Sequence, residues 1–396
     1  LLRRLFERST LLRSACCRAN AAALAVFALF GAPPAFPEST GEPSGDQAGE
    51  PAGASAEVDP VRPLLEYEPL FGFDSPIGAI EYRAGRGVHF GWTGLNVGGF
   101  TTVEFDRAEG EPGELSIDSV NLLLLLQPFE HVRGFAEIEI GNLFSWETNS
   151  SDVRGDPGKD VERLFLDVTL DDPFTARFGK FQTPTGRWNL VPAEPFTWTA
   201  TEPVLTETAY NEHTTGGAIL GTFNPSLGSL SYWIYGQLLD PLDPGDTPRR
   251  INRSVGSRLQ LDQSFGEWSF GASFLAAEQG GDWSYLGGLD ALWQIGPLEL
   301  SSEFMFERGD LDDRELWGIY VQGVFEVWPE VLPQVYLTGR FEHFDPKGFD
   351  RKANLFDLGV TWTPWLWLRL KGSYRFADRE TDDVTRGVTL SISVVF

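Results

Sequence analysis

The sequence is poor in sulfur. Among 396 residues it has one methionine and two cysteines, Cys16 and Cys17. Two adjacent cysteines near the start supply neither a disulfide framework nor a zinc site. Histidine is also scarce: His89, His131, His213 and His343 lie far apart. No Ser–His pair and no glycine-rich phosphate loop stands out, so the reading is a non-enzyme without cofactor or metal. Positive charge is in deficit as well, with 31 Lys and Arg against 57 Asp and Glu and a net charge of -26. Phosphate backbones need a basic surface, which excludes a nucleic-acid partner. Finally, no stretch after the first 35 residues approaches the ~18–20 apolar residues of a membrane helix. The longest pure run there is "LLLLL" at 122–126.

What is present begins with export signals. Arg3, Arg4, Arg8, Arg13 and Arg18 precede or flank an apolar stretch, "AAALAVFALFG" (21–31), followed by the small residues of "APPA" (32–35). This predicts a signal peptide over 1–35 with cleavage near Ala35. Residues 36–60 are rich in Pro, Gly, Ser and acid. We therefore expect 36–85 to be a disordered linker with a periplasmic N-terminal segment. Residues 86–396 are expected to form a β-barrel in the outer membrane.

The barrel reading rests on periodicity. Glycine (43) and aromatic residues (13%) are abundant, which favours strands. From about residue 95, segments such as "VERLFLDVTL" (161–170), "LELSSEFMFER" (298–308) and "GVTLSISVVF" (387–396) alternate apolar and polar positions. About sixteen such segments occur, of the length a tilted membrane strand needs. Their connections sort into two kinds. Every second one is short and holds Pro or Gly, as in "DDP" (171–173) and "TPW" (363–365). The others are acidic and polar, as in "GDLDD" (309–313) and "DRETDD" (378–383). Short turns at one end and polar loops at the other is the asymmetry of an outer-membrane barrel. The fold class is thus all-β: a transmembrane antiparallel β-barrel of about sixteen strands.

The strand at 365–377 sets its direction. Leu366, Leu368, Leu370, Tyr374 and Phe376 share one face; Arg369, Lys371 and Arg375 share the other. A cation facing lipid at mid-depth costs ~2–4 kcal/mol. The apolar face must therefore meet lipid and the basic face water, and the sheet must close because an open edge in lipid is unsatisfied. "GVTLSISVVF" is then the closing strand, with Phe396 toward lipid. Trp146, Trp268, Trp283, Trp293, Trp317, Trp328, Trp362 and Trp365 fall near strand ends, where interfacial girdles belong.

The third external loop, 183–213, is the longest connection. A loop of that length usually has a task; here it is expected to fold inward as a constriction. Arg187, Trp188, Glu194, Glu202 and Glu207 are its candidate pore residues. By parity, Arg163, Arg177, Arg258, Arg340, Arg369, Lys371 and Arg375 point into the lumen, as do Glu299, Glu303 and Glu307. Glu104, Glu137, Glu139, Asp167, Asp290, Glu326, Glu342 and Asp357 share that parity. Opposed acidic and basic walls would set a transverse field that filters solutes by charge.

The whole barrel resembles the Gram-negative outer-membrane porin superfamily. "ARFGKFQTPTGRWN" (176–189) is similar to the phosphate-selective porin O and P-like group. The resemblance implies a passive, water-filled channel in the cell outer membrane for small hydrophilic solutes or ions. It also implies a homotrimer, with outer-membrane lipids and lipopolysaccharide as surroundings. That group attributes anion selection to basic constriction residues, whereas loop 183–213 has Arg187, no lysine and several glutamates. A general or cation-leaning channel is the expectation. The alternatives are a non-conducting structural or adhesion barrel, or a channel specific for an anion, phosphate or a sugar.

Overall fold

The computed structural model describes residues 70–191, 193–240, 251–263, 266–309, 315–327, 334–346, 352–378 and 386–396. The expected signal peptide at 1–35, residues 36–69 of the segment expected over 36–85, Trp328 and most of the acidic loops "GDLDD" and "DRETDD" lie outside the described residues.

Three short strands come first: β1 (Phe71–Ser75), β2 (Gly78–Arg83) and β3 (Gly87–Phe90). The long strands follow as β4 (Leu95–Ala108), β5 (Glu114–Phe129) and β6 (Val132–Glu147), with β7 (Val153–Arg154) a two-residue bridge on β6. Next come β8 (Asp160–Asp171), β9 (Phe174–Gln182), β10 (His213–Phe223), β11 (Gly228–Gln237), β12 (Arg253–Gln263) and β13 (Trp268–Gln279). The chain continues through β14 (Asp282–Ile295), β15 (Leu298–Gly309), β16 (Glu315–Glu326) and β17 (Val335–Pro346). It ends with β18 (Ala353–Trp365), β19 (Leu368–Ala377) and β20 (Gly387–Val395). One short helix, α1 (Val204–Ala209), lies between β9 and β10.

Neighbours pair antiparallel, and β6 pairs with β8. β20 returns to β4 in the register Ser391↔Glu104 and Ile392↔Val103, which closes the sheet. Beyond it Phe396 and Gly99 exchange two backbone hydrogen bonds of 2.8 Å each. The barrel is therefore the sixteen strands β4–β6 and β8–β20. Closure leaves no unpaired edge, the condition for a sheet in hydrocarbon.

The barrel is inside-out relative to a soluble β protein. On β12 and β13, Val255, Leu259, Phe270 and Phe274 are exposed, whereas Ser254, Arg258, Gln260, Ser269 and Ser273 are buried. β20 repeats the pattern, with Leu390 and Ile392 exposed and Thr389, Ser391 and Ser393 buried. Period-two alternation puts one set outward on every strand. Trp293, Trp362 and Trp365 are exposed toward the short-turn end, with Trp268 paired to Trp293 across β13 and β14. Among the described residues no helix is long and apolar enough to cross a membrane; the spanning elements are strands.

Two features differ from the sequence reading. The sheet begins at Phe71, ahead of residue 86, because β1–β3 pair in sequence and β3 joins the lower part of β4. The alternation on β9 also breaks, while its pairing with β8 and β10 runs on without a shift at that point. Gly179 sits at φ 132°, where a Cβ would lie 2.1 Å from the Leu164 carbonyl oxygen. Only glycine fits there. The break lets Lys180 and Phe181 both be buried, which simple alternation forbids.

Candidate functional site: the lumen constriction

The loop between β9 and β10 enters the barrel. Its first bend is the Thr-Pro-Thr-Gly stretch at 183–186. Thr183 pairs with Thr214 at 2.8 Å and Thr185 with the Tyr235 hydroxyl at 2.8 Å. Gly186 has φ 69°, and a Cβ there would come within 2.3 Å of a Glu303 carboxylate oxygen. With that bend made, Glu303 accepts the backbone N–H of Arg187 at 2.9 Å and also that of Trp188. Asn189 closes the neck, donating to the carbonyls of Thr183 (2.8 Å) and Glu212 (3.0 Å).

The middle of the loop lies on the inner faces of β17, β18 and β19. Arg340 is the main anchor. It donates to Thr199 Oγ1 (2.9 Å), Thr201 O (2.9 Å), Thr201 Oγ1 (3.1 Å) and Glu202 O (3.0 Å). It also pairs with Asp357 at 2.8 Å, and both side chains are essentially solvent-free. Arg375 bonds the same Asp357 and the Glu202 carbonyl, each at 2.9 Å. Lys371 reaches Thr197 Oγ1 (2.8 Å) and Thr199 O (3.2 Å), and Arg369 reaches Thr197 O (3.2 Å). Buried carbonyls need donors, and these four cations supply them. Glu342 accepts the first N–H groups of α1, from Val204 (3.2 Å) and Leu205 (2.6 Å). Leu205 and Ala209 then join Met305, Leu316 and Leu355 in an apolar cluster inside the barrel.

The loop therefore fills the side of the lumen facing β11–β19 and leaves the side facing β4–β8 open. A cavity of about 1100 Å³ lies between them. On the loop side it is lined by Glu194, Glu202 and Glu212. On the wall side it is lined by Glu104, Asp106, Glu114, Glu137, Glu139 and Glu162. The cations in its lining are Arg154 and Arg163, and Arg163 is paired with Glu137. His213 also lines it, 3.4 Å from Glu162. Burial raises the Glu202 carboxyl to about 8, helped by the negative Glu212, Glu207 and Glu194 and opposed by Arg340.

The residues singled out in the sequence thus separate into groups. Glu194, Glu202 and Arg163 border the open cavity. Arg187 and Trp188 do not; they lie on the closed side, where Trp188 stands 5.7 Å from the Arg340 guanidinium and edge-on to Tyr320. Glu207 is exposed on α1. Arg340, Arg369, Lys371 and Arg375 point inward as parity requires, but they lie beneath the loop rather than across from it. Arg258 is buried against Asp290 (2.6 Å), and the half-buried Arg177 pairs with Asp167 (2.7 Å) and lies over the Phe165 ring (3.9 Å). Glu299 accepts the Trp198 indole N–H at 3.0 Å, and Glu303 and Glu307 are buried. The expected pair of opposed acidic and basic walls is absent across this cavity, since both of its sides carry acids. Asp106 and Glu114, missed as pore residues, have the parity of Glu104 and its partner on β5 and were findable from it. Glu162 was not, because it lies at the register shift between β6 and β8.

No protein-family model and no curated protein sequence matches the chain. Solved structures do. The chain is similar to OmpF of Salmonella typhi in complex with daunomycin, at 11% identity and TM-score 0.55, over 76% of this chain and 97% of that one. It is similar to the anion-selective porin of Comamonas acidovorans, at 15% identity and TM-score 0.54, over 76% and 99%. The outer membrane channel DcaP of Acinetobacter baumannii aligns at 13% identity and TM-score 0.51, over 83% of this chain and 100% of that one. At these identities the likeness is one of fold: a sixteen-strand antiparallel barrel of the outer-membrane type.

Proposed function

We propose that the chain is an outer-membrane porin, a water-filled channel for passive diffusion that favours cations over anions. The observation that carries this reading is the cavity between loop and open wall, with carboxylates on both sides. Such a passage concentrates counter-ions and repels anions before any contact is made. Glu194, Glu202 and Glu212 on the loop, with Glu104 and Glu139 on the wall, are the groups a solute would meet. Arg187, Trp188 and the cations under the loop set its position. The resemblance of 176–189 to the phosphate-selective group then concerns how the chain turns inward at Gly186, and not phosphate passage. One neighbour is a trimer form of OmpT from Vibrio cholerae, and a homotrimer surrounded by lipid and lipopolysaccharide is our proposal for this chain also.

The experiment is conductance in planar bilayers with purified, refolded protein. Ohmic single-channel steps are expected, and under a potassium chloride gradient a reversal potential corresponding to roughly tenfold cation preference. A folded barrel that carries no current would make it a structural or adhesion protein. An anion-side reversal potential would overturn the charge preference alone.

A further inference from the structure

The strands β1–β3 carry a second surface. Register fixes which way each residue points. Val88 and Phe90 pair with Val97 and Leu95, which in turn pair with Leu124 and Leu126 of β5. Across β3, Ile80 pairs with Phe90 and Tyr82 with Val88; across β2, Phe73 pairs with Ile80 and Phe71 with Tyr82. Directly paired residues share a face. One continuous apolar surface therefore runs from the outside of β5, over β4, to β1. Phe71 and Phe73 are 57% and 59% exposed, and the Phe71 ring stacks on Tyr82 at 5.1 Å. Trp92, in the turn joining β3 to β4, is 75% exposed. The opposite face is polar: Glu81 pairs with Arg83 at 2.9 Å and His89 bonds Asn96 at 2.9 Å.

The position of this small sheet is equally defined. Its β2–β3 turn packs on the barrel's short-turn end, where Gly85 lies against Trp367 and Trp367 stacks on Trp365. Aromatic residues collect at the membrane–water boundary because their rings are apolar and their edges polar.

We propose that β1–β3 form an apron that extends the barrel's lipid-facing belt, with the face of Phe71, Phe73, Tyr82 and Phe90 laid against the leaflet at the short-turn end and the open edge of β1 kept at the headgroup boundary, where water reaches it. The occupant is lipid because the surface has no boundary with the belt. The same row of paired residues continues from positions on β4 and β5 that already face outward. The test places a cysteine at Phe73 (Phe73→Cys) in a Cys16→Ser/Cys17→Ser background and labels it with a nitrobenzoxadiazole fluorophore. Leu390→Cys is the lipid-facing control and His89→Cys reports the opposite face. Protein is reconstituted in phosphatidylethanolamine–phosphatidylglycerol vesicles, with doxyl-labelled lipid or with iodide on both sides. The label at 73 is expected to be quenched by doxyl lipid within about twofold of that at 390, and protected from iodide. The label at 89 should show the reverse. Iodide quenching at 73 equal to that at 89 would overturn the proposal. Protection from both quenchers would also overturn it, since a second copy of the chain would then cover the face. Ile80→Cys repeats the measurement should the Phe73 variant fail to fold.

Discussion

The two sides of the lumen contain the same kinds of residue and use them differently. Under the loop, from β15 to β19, charges are buried and matched: Arg340 with Asp357 and four loop acceptors, Glu342 with the start of α1, Glu303 with two loop N–H groups. From β4 to β8, charges line an open cavity and are mostly of one sign. A buried cation held against an acid and several loop acceptors, as Arg340 is, has little field to spare for a passing solute, because its partners screen it at short range. An excess of carboxylates facing water is compensated only by mobile ions, so its potential extends into the passage. The lesson is that parity tells which charges face inward, whereas the course of the loop decides which of them act on solutes.

The largest effect should come from breaking the matched side. Arg340→Ala removes the guanidinium that ties Thr199, Thr201 and Glu202 to the wall and leaves Asp357 and the Glu202 carbonyl to Arg375 alone, at a cost of about 3 kcal/mol. We expect the loop to detach and the single-channel conductance to rise while the barrel remains folded, as judged by heat-modifiable gel migration. Unchanged conductance would mean that the loop holds its place without this anchor.

The open side gives the next largest change. Glu194→Gln/Glu202→Gln/Glu212→Gln removes the loop's share of the acidic lining and should reduce the roughly tenfold cation preference most of the way to unity. Reversal potentials read this directly, and conductance in high salt should change little.

Titration sharpens the same contrast more gently. With its ionisation raised to about 8, Glu202 is neutral below that pH and charged above it. Cation preference should therefore grow as pH rises from 6 to 9, by about twofold. Glu202→Gln should flatten that part of the profile. A preference that falls over the same range would contradict the assignment.

The smallest effect is expected from Glu139→Gln on the open wall. One carboxylate among many should shift the permeability ratio by less than about twofold. Loop position and conductance should stay as they are, in contrast to Arg340→Ala.

Much of this architecture was legible in the residues. The sixteen strands were readable because lipid on one side and water on the other impose strict alternation, and each segment carries its own copy of that signal. The inward turn of 183–213 was readable from length. The fate of Arg369, Lys371 and Arg375 was not. Their parity was plain, but contact with Thr197, Thr199 and Glu202 depends on a path set elsewhere, at Gly186 and Glu303. β1–β3 left only a weak strand signal, in "IEYRAGRGVHFGW" (80–92), because strands of four to six residues give too few alternations to stand out. Lys180 and Phe181 defied alternation through a single glycine.

The anchors of the loop also bear on the order of assembly. Glu202 is held by Arg375, 173 residues farther along the chain, and α1 by Glu342, 138 residues beyond Val204. Contacts that distant form late, because the intervening chain must first be placed. The aperture is thus narrowed only once the last quarter of the wall is in position. A molecule halted before that point would be a wide, unselective leak, so the seat of the loop doubles as a check that the vessel is complete.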